Sequence, residues 1–156
     1  SSEAPLIMDS LLQAIDLWYE EVMKSPHLVT PPRITVGSPE ENPVILGRND
    51  WKGPTARSWS SPEAYGTWDI HVLDPGPYRV TLGFRDPLPG NGRAVVQGGS
   101  RQYWISQDEP DVHEIVMDDV VLNSGDQSFG GYWEFSGQMY SPFYIEIEKY
   151  KNQSIN

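Results

Sequence analysis

The stretch Trp68-Asp69-Ile70-His71-Val72, followed after Leu73-Asp74-Pro75 by Gly76-Pro77-Tyr78-Arg79-Val80-Thr81-Leu82-Gly83-Phe84-Arg85, decides the reading of this chain. Trp68, Ile70 and Val72 alternate with Asp69 and His71, and Tyr78, Val80, Leu82 and Phe84 alternate with Arg79 and Thr81. Period two places each apolar set on one face of a β-strand. The Asp74-Pro75-Gly76-Pro77 punctuation reads as a tight turn. The expectation is a hairpin at the edge of a β-sandwich, with its apolar face in the core.

The rest of the chain agrees with that class. Fourteen Gly and fourteen Pro among 156 residues suit short strands separated by turns, and six Trp, eight Tyr and four Phe suit a sandwich core. The length is that of one domain with a proper core. A net charge of −11 with only eleven Lys and Arg repels polyanions, which disfavours nucleic acid as a partner. The absence of cysteine excludes disulfides, thiolate zinc sites and a Cys nucleophile. No apolar run approaches the ~20 residues of a membrane span, and the Ser1-Ser2-Glu3 start reads as a mature or cut end.

Residues 5–24 read as a helix. Met8, Leu11, Leu12, Ile15, Trp18, Tyr19 and Val22 recur at helical spacing, with Asp16, Glu20, Glu21 and Lys24 between them. Asp9 or Ser10 is the expected cap, and Ser25-Pro26 the stop. From Pro31 the pattern changes to strands near Arg33–Gly37, Pro43–Gly47, Arg93–Gln97, Arg101–Ser106, Val112–Leu122, Gly131–Phe135 and Phe143–Lys149. A Pro-, Ser- and Trp-rich loop runs from Arg48 to Gly66, and Asn123-Ser124-Gly125-Asp126 is a turn signal. In the last strand Phe143, Ile145 and Ile147 are expected inward, against Tyr144, Glu146 and Glu148. With the two central runs this makes eight or nine strands. The expected organisation is a mainly β, jelly-roll sandwich over 31–150, a helix and linker over 1–30, and a tail over 151–156.

Candidate chemistry is sparse. Asp108-Glu109-Pro110-Asp111 and Asp118-Asp119 are paired carboxylates, but a general acid needs a desolvated carboxyl and these lie in turn-like or strand-end sequence. Calcium is the metal such acidic loops would suit, although no spaced ligand signature appears. His27, His71 and His113 are dispersed, and no Gly-x-Ser-x-Gly elbow is present. No catalytic residue is assigned. Sugar binding is the sharper alternative, because aromatic rings stack on the apolar faces of pyranoses while planar polar groups fix hydroxyls. The candidates are Tyr103 and Trp104 beside Arg101 and Gln102, Tyr132 and Trp133 beside Glu134, and Trp51 and Trp59 in the loop. Strand alternation sends one ring of each adjacent pair inward.

Several motifs, taken in order, resemble the C-terminal portion of bacterial arylsulfatases: Leu17-Trp18-Tyr19-Glu20-Glu21-Val22, Ile34-Thr35-Val36-Gly37, Glu41-Asn42-Pro43-Val44-Ile45-Leu46, Asn49-Asp50-Trp51, and Trp68–Val72 with Gly76–Leu82. From Asp86 to Gly137 only the sandwich pattern matches, and the resemblance implies a galactose-binding-like jelly roll. The family's formylglycine motif, Cys/Ser-x-Pro/Ala-x-Arg, is absent: Ser60-Ser61-Pro62-Glu63-Ala64 lacks the Arg. The resemblance therefore implies a non-catalytic domain that supports a catalytic sulfatase domain of the same polypeptide, in the periplasm or outside the cell. The alternative is an autonomous carbohydrate-binding module that recognises a polysaccharide, sulfated or not.

Overall fold

A computed structural model describes residues 3–29, 31–58, 60–61 and 63–150. They form two compact units, which divide between Pro32 and Arg33.

The first unit is helical. Helix α1 spans Glu3–Met23, and a single further turn, α2, spans Pro26–Val29. The helix begins earlier than the capping reading placed it, so Asp9 and Ser10 lie in its interior. Its end is as expected. Ser25 precedes a proline, which disfavours the helical region for it, and Pro26 instead opens α2. The apolar residues Ile7, Met8, Leu11, Leu12, Ile15, Trp18 and Tyr19 are all 54–62% exposed.

The second unit is a two-sheet β-sandwich of the jelly-roll class. Ten strands are present among the described residues: β1 Ile34–Val36, β2 Val44–Gly47, β3 Trp68–Val72, β4 Gly76–Leu88, β5 Gly92–Gly98, β6 Arg101–Gln107, β7 Val112–Leu122, β8 Gly125–Phe135, β9 Gln138–Tyr140 and β10 Tyr144–Lys149. One sheet runs β1-β3-β8-β5-β6, with β9 paired to β8; the other runs β2-β10-β4-β7. Strand β8 is twice the predicted length, and β9 is an addition after the Ser136-Gly137 turn.

The Trp68–Arg85 reading needs one correction. Its two runs are strands with the predicted inward faces, but they are not a hairpin and neither is an edge. β3 lies between β1 and β8 in one sheet, and β4 lies between β10 and β7 in the other. The Leu73–Pro75 link carries the chain across the sandwich. Trp68, Ile70 and Val72 meet the core from one side, and Tyr78, Val80, Leu82 and Phe84 from the opposite side. Alternation reports that a strand has one buried face; it is silent on whether the next strand pairs beside it or faces it.

Trp68, Trp133, Tyr78 and Phe129 are the largest fully buried side chains, and full burial of each contributes roughly 1.5–3 kcal/mol. In β10, Ile145 and Ile147 are fully buried as expected, but Phe143 precedes the strand and is 40% exposed. The Arg48–Gly66 loop packs onto the sandwich through Trp51, whose ring centre lies 5.8 Å from that of Trp68. Arg48 anchors the loop's start. It is buried and donates to the carbonyls of Ser61 (2.9 Å), Ser141 (2.6 Å) and Pro142 (2.9 Å).

Candidate functional site

Strand parity sorts the predicted binding residues. In β5, Ala94, Val96 and Gly98 face the core, so Arg93, Val95 and Gln97 face outward. In β6, Tyr103 and Ile105 pack against the core, so Trp104 faces outward and is 61% exposed. In β8, Phe129 and Trp133 are buried, so Tyr132 faces outward.

Register then builds a row. Trp104 stands opposite Val95, and Val95 stands opposite Tyr132. The outer rings are thus two strand spacings apart, about 10 Å. Val95 is 2% exposed although it lies outside the core cluster, so it forms a sealed apolar floor between them. Tyr65, from the end of the Arg48–Gly66 loop, extends the row by an edge-on contact with Tyr132 at 6.0 Å. Burial, and then the neighbouring Tyr132, raise the Tyr65 hydroxyl above the usual tyrosine range, so it stays a neutral donor.

Polar groups border the row on both sides. On one side Gln97 is paired with Gln102, with Gly130 beyond it. On the other, Arg93 is ion-paired with Glu134 at 2.5 Å and lies 5.9 Å from the centre of the Trp104 ring. The Arg93–Glu134 pair is neutral as a unit. An apolar strip of rings between planar amides and a guanidinium matches the two demands of a sugar ring, stacking and hydroxyl recognition. Farther along the same face, Lys52, Asp69, Arg33, Asp126 and His71 form a continuous ionic chain. The hydrogen bond with the His71 ring, and then Arg33, hold the Asp126 carboxyl below its usual range.

The remaining candidates are placed elsewhere. Trp133 is fully buried and Trp51 is 7% exposed with its Nε1 donating to the Ala56 carbonyl, so neither ring is open to a ligand. Tyr103 turns inward and its hydroxyl donates to the Val121 carbonyl at 2.9 Å. Arg101 is exposed at the start of β6, and Trp59 lies outside the described residues. Of the Tyr132-Trp133 pair, Tyr132 is the outward ring and Trp133 the buried one. The parity of Trp133 with Phe129, two turns of the pleat away, was the available signal. Tyr65 had none, since a loop residue carries no periodicity.

The acidic clusters do not have the environment of an acid catalyst. Asp108, Glu109 and Asp111 are exposed. Asp118 accepts from Arg79 and from the Tyr150 hydroxyl, both at 2.7 Å, and these bonds hold it below the usual carboxylate range. A general acid requires the opposite shift. Among the described residues no group of three or more His, Asp or Glu is placed to hold a metal ion. His113 is exposed, and the His27 side chain lies outside the described residues. No helix is long and apolar enough to cross a membrane, among the described residues.

No family model and no curated protein matches this sequence. Solved structures show a distant likeness, two of them as follows. The Podospora anserina GH26-CBM35 β-(1,4)-mannanase is 14% identical, with a TM-score of 0.43, over 74% of this chain and 30% of that one. The CBM36-1 domain of a multidomain xylanase from the hindgut metagenome of Trinervitermes trinervoides is 13% identical, with a TM-score of 0.44, over 70% of this chain and 99% of that one. The chain thus spans less than a third of the mannanase. Likeness at this level assigns no ligand and no residue role.

Proposed function

We propose that the sandwich is a non-catalytic carbohydrate-binding module whose ligand lies across the outer face of the β1-β3-β8-β5-β6 sheet. The observation that carries this reading is Trp104, 61% exposed, in register across the sealed Val95 from Tyr132. What is informative is the contiguous row that Trp104 forms with Val95, Tyr132 and Tyr65, since a patch rimmed by polar groups marks a binding surface where a lone ring would not. Its polar flanks, Gln97, Gln102 and the Arg93–Glu134 pair, offer donors and acceptors at fixed positions without a net charge. Glycan-array screening followed by calorimetric titration of the best ligand tests it. Binding is expected, weakened at least tenfold in Trp104→Ala and in Tyr132→Ala. An array without signal, or a ligand indifferent to both substitutions, rejects it.

A second reading is a supporting domain of a sulfatase-like enzyme, located in the periplasm or outside the cell. Two features favour it: the ordered motifs from Trp18 to Leu82, and an α1 stripe whose apolar residues are more than half exposed. Such a stripe suits burial against another domain. The native reading frame tests it, through the presence or absence of a formylglycine motif upstream. The two readings are compatible, since a binding module is commonly carried by a larger enzyme.

A further inference from the structure

A separate recess lies at the end of the sandwich, where the last residues of β4 approach the Tyr140–Phe143 segment. Its volume is about 140 Å³, and its apolar walls include Phe84, Leu88, Tyr140 and Phe143. Arg48 and Arg85 complete it, and both guanidinium groups sit over the Phe143 ring, at 6.0 Å and 4.8 Å from its centre.

The two arginines differ in role. Arg48 is committed to three backbone carbonyls and holds the loop in place. Arg85 is exposed, and among the described residues its side chain makes neither a hydrogen bond nor an ion pair; its guanidinium lies over the face of Phe143. Asp86 also lines the recess but does not pair with it. A cation–π contact engages no hydrogen-bond acceptor, so the N–H donors of the Arg85 guanidinium are left for a ligand. Two parallel donors in one plane match a carboxylate in bidentate geometry. The charge of Arg48 adds to the field there, and Arg85 is close enough that its own charge helps lower the Arg48 pKa, after burial.

Size narrows the ligand further. Small-molecule sites usually measure roughly 300–1,000 Å³, whereas a cavity of about 150 Å³ accepts a single benzene-sized ring. The recess therefore has room for about one ring. We propose that it binds a ring-bearing carboxylate, with the ring against Phe84, Leu88 and Phe143 and the carboxylate on Arg85. Aromatic acids and terminal uronic acids share that chemistry. The site is independent of the Trp104 row.

Titrations of the full chain with benzoate and with glucuronate, followed by amide and side-chain NMR shifts, test the inference and separate the two sources. At least one acid is expected to bind with saturable shifts at Phe84, Tyr140 and Phe143, at least tenfold more tightly than its uncharged counterpart, benzyl alcohol or glucose. Arg85→Ala should weaken it at least tenfold, Arg85→Lys should restore part of the loss, and Trp104→Ala should leave it unchanged. Absence of binding by both acids, or binding insensitive to Arg85→Ala, overturns the proposal. So does displacement by an equal concentration of inorganic sulfate, which would leave no role for the ring.

Discussion

Lys149 and Tyr78 close on the same turn. The Lys149 ammonium lies 4.8 Å from the centre of the Tyr78 ring, and both side chains donate to the carbonyl of Asp74. Lys149 also donates to the Pro75 carbonyl at 2.6 Å and pairs with the Asp74 carboxylate at 3.1 Å. These bonds fasten the link that carries the chain from one sheet to the other. They also tie it to the last strand, 75 residues away in sequence.

That junction should be sensitive to alkali. Burial, and then the Asp74 charge, push the Tyr78 hydroxyl up to about 12, and the hydrogen bond to Glu114 does the same for Tyr144. A phenol whose pKa is higher when folded than when unfolded binds its proton more tightly in the native state. Its contribution is complete below pH ~10, the unfolded value, and is lost as pH rises through the folded value. Urea midpoints should therefore fall between pH 10 and 12, and Tyr78→Phe should flatten the decline.

Trp104 and Trp133 should separate binding from stability. Trp133→Ala empties a fully buried site and should cost about 3–5 kcal/mol in urea unfolding. Trp104→Ala should stay within roughly 0.5 kcal/mol of the parent, as surface substitutions do, while losing glycan affinity. A Trp104→Ala protein that unfolds as readily as Trp133→Ala would show that the outer ring is structural.

Gly92→Ala should be unexpectedly costly for one methyl group. A Cβ at Gly92 would lie 2.0 Å from the Trp133 ring, far inside contact distance. Either the ring or the strand must move, at about 1–3 kcal/mol for overpacking of this kind. Thermal denaturation reads the loss, and Gly125→Ala provides a contrast. Gly125 has open space around it, and its positive φ of 95° supplies the strain there instead.

Arg48→Met should loosen the loop that delivers Tyr65. It keeps much of the side chain's length and removes the donors that satisfy Ser61, Ser141 and Pro142. Buried carbonyls left without partners make a loss of at least about 2 kcal/mol the expected outcome. Limited proteolysis should then cut between residues 48 and 66 before the strands.

Much of this was legible in the residues alone. Period-two runs identified β3, β4 and β10 and, Phe143 apart, their inward side chains, because alternation is imposed by the pleat and by a single buried face. Helical spacing likewise identified α1. Where the pattern is short or continuous the reading weakened: β8 passes through Phe129-Gly130-Gly131, where glycines blur the parity, and β9 has three residues.

The binding surface shows the division most clearly. Composition and alternation determined that this is a mainly β chain rich in aromatic rings, and that each adjacent aromatic pair has one inward and one outward member. Only the tertiary structure decided that Trp104, Val95, Tyr132 and Tyr65 share a row, that Trp51 and Trp133 belong to the core, and that Trp68–Val72 faces Gly76–Leu88 instead of pairing with it. Alternation is a local property of one strand, set by steric geometry between neighbouring residues. Which strands become neighbours is settled by contacts between distant parts of the chain, and no local period encodes that choice.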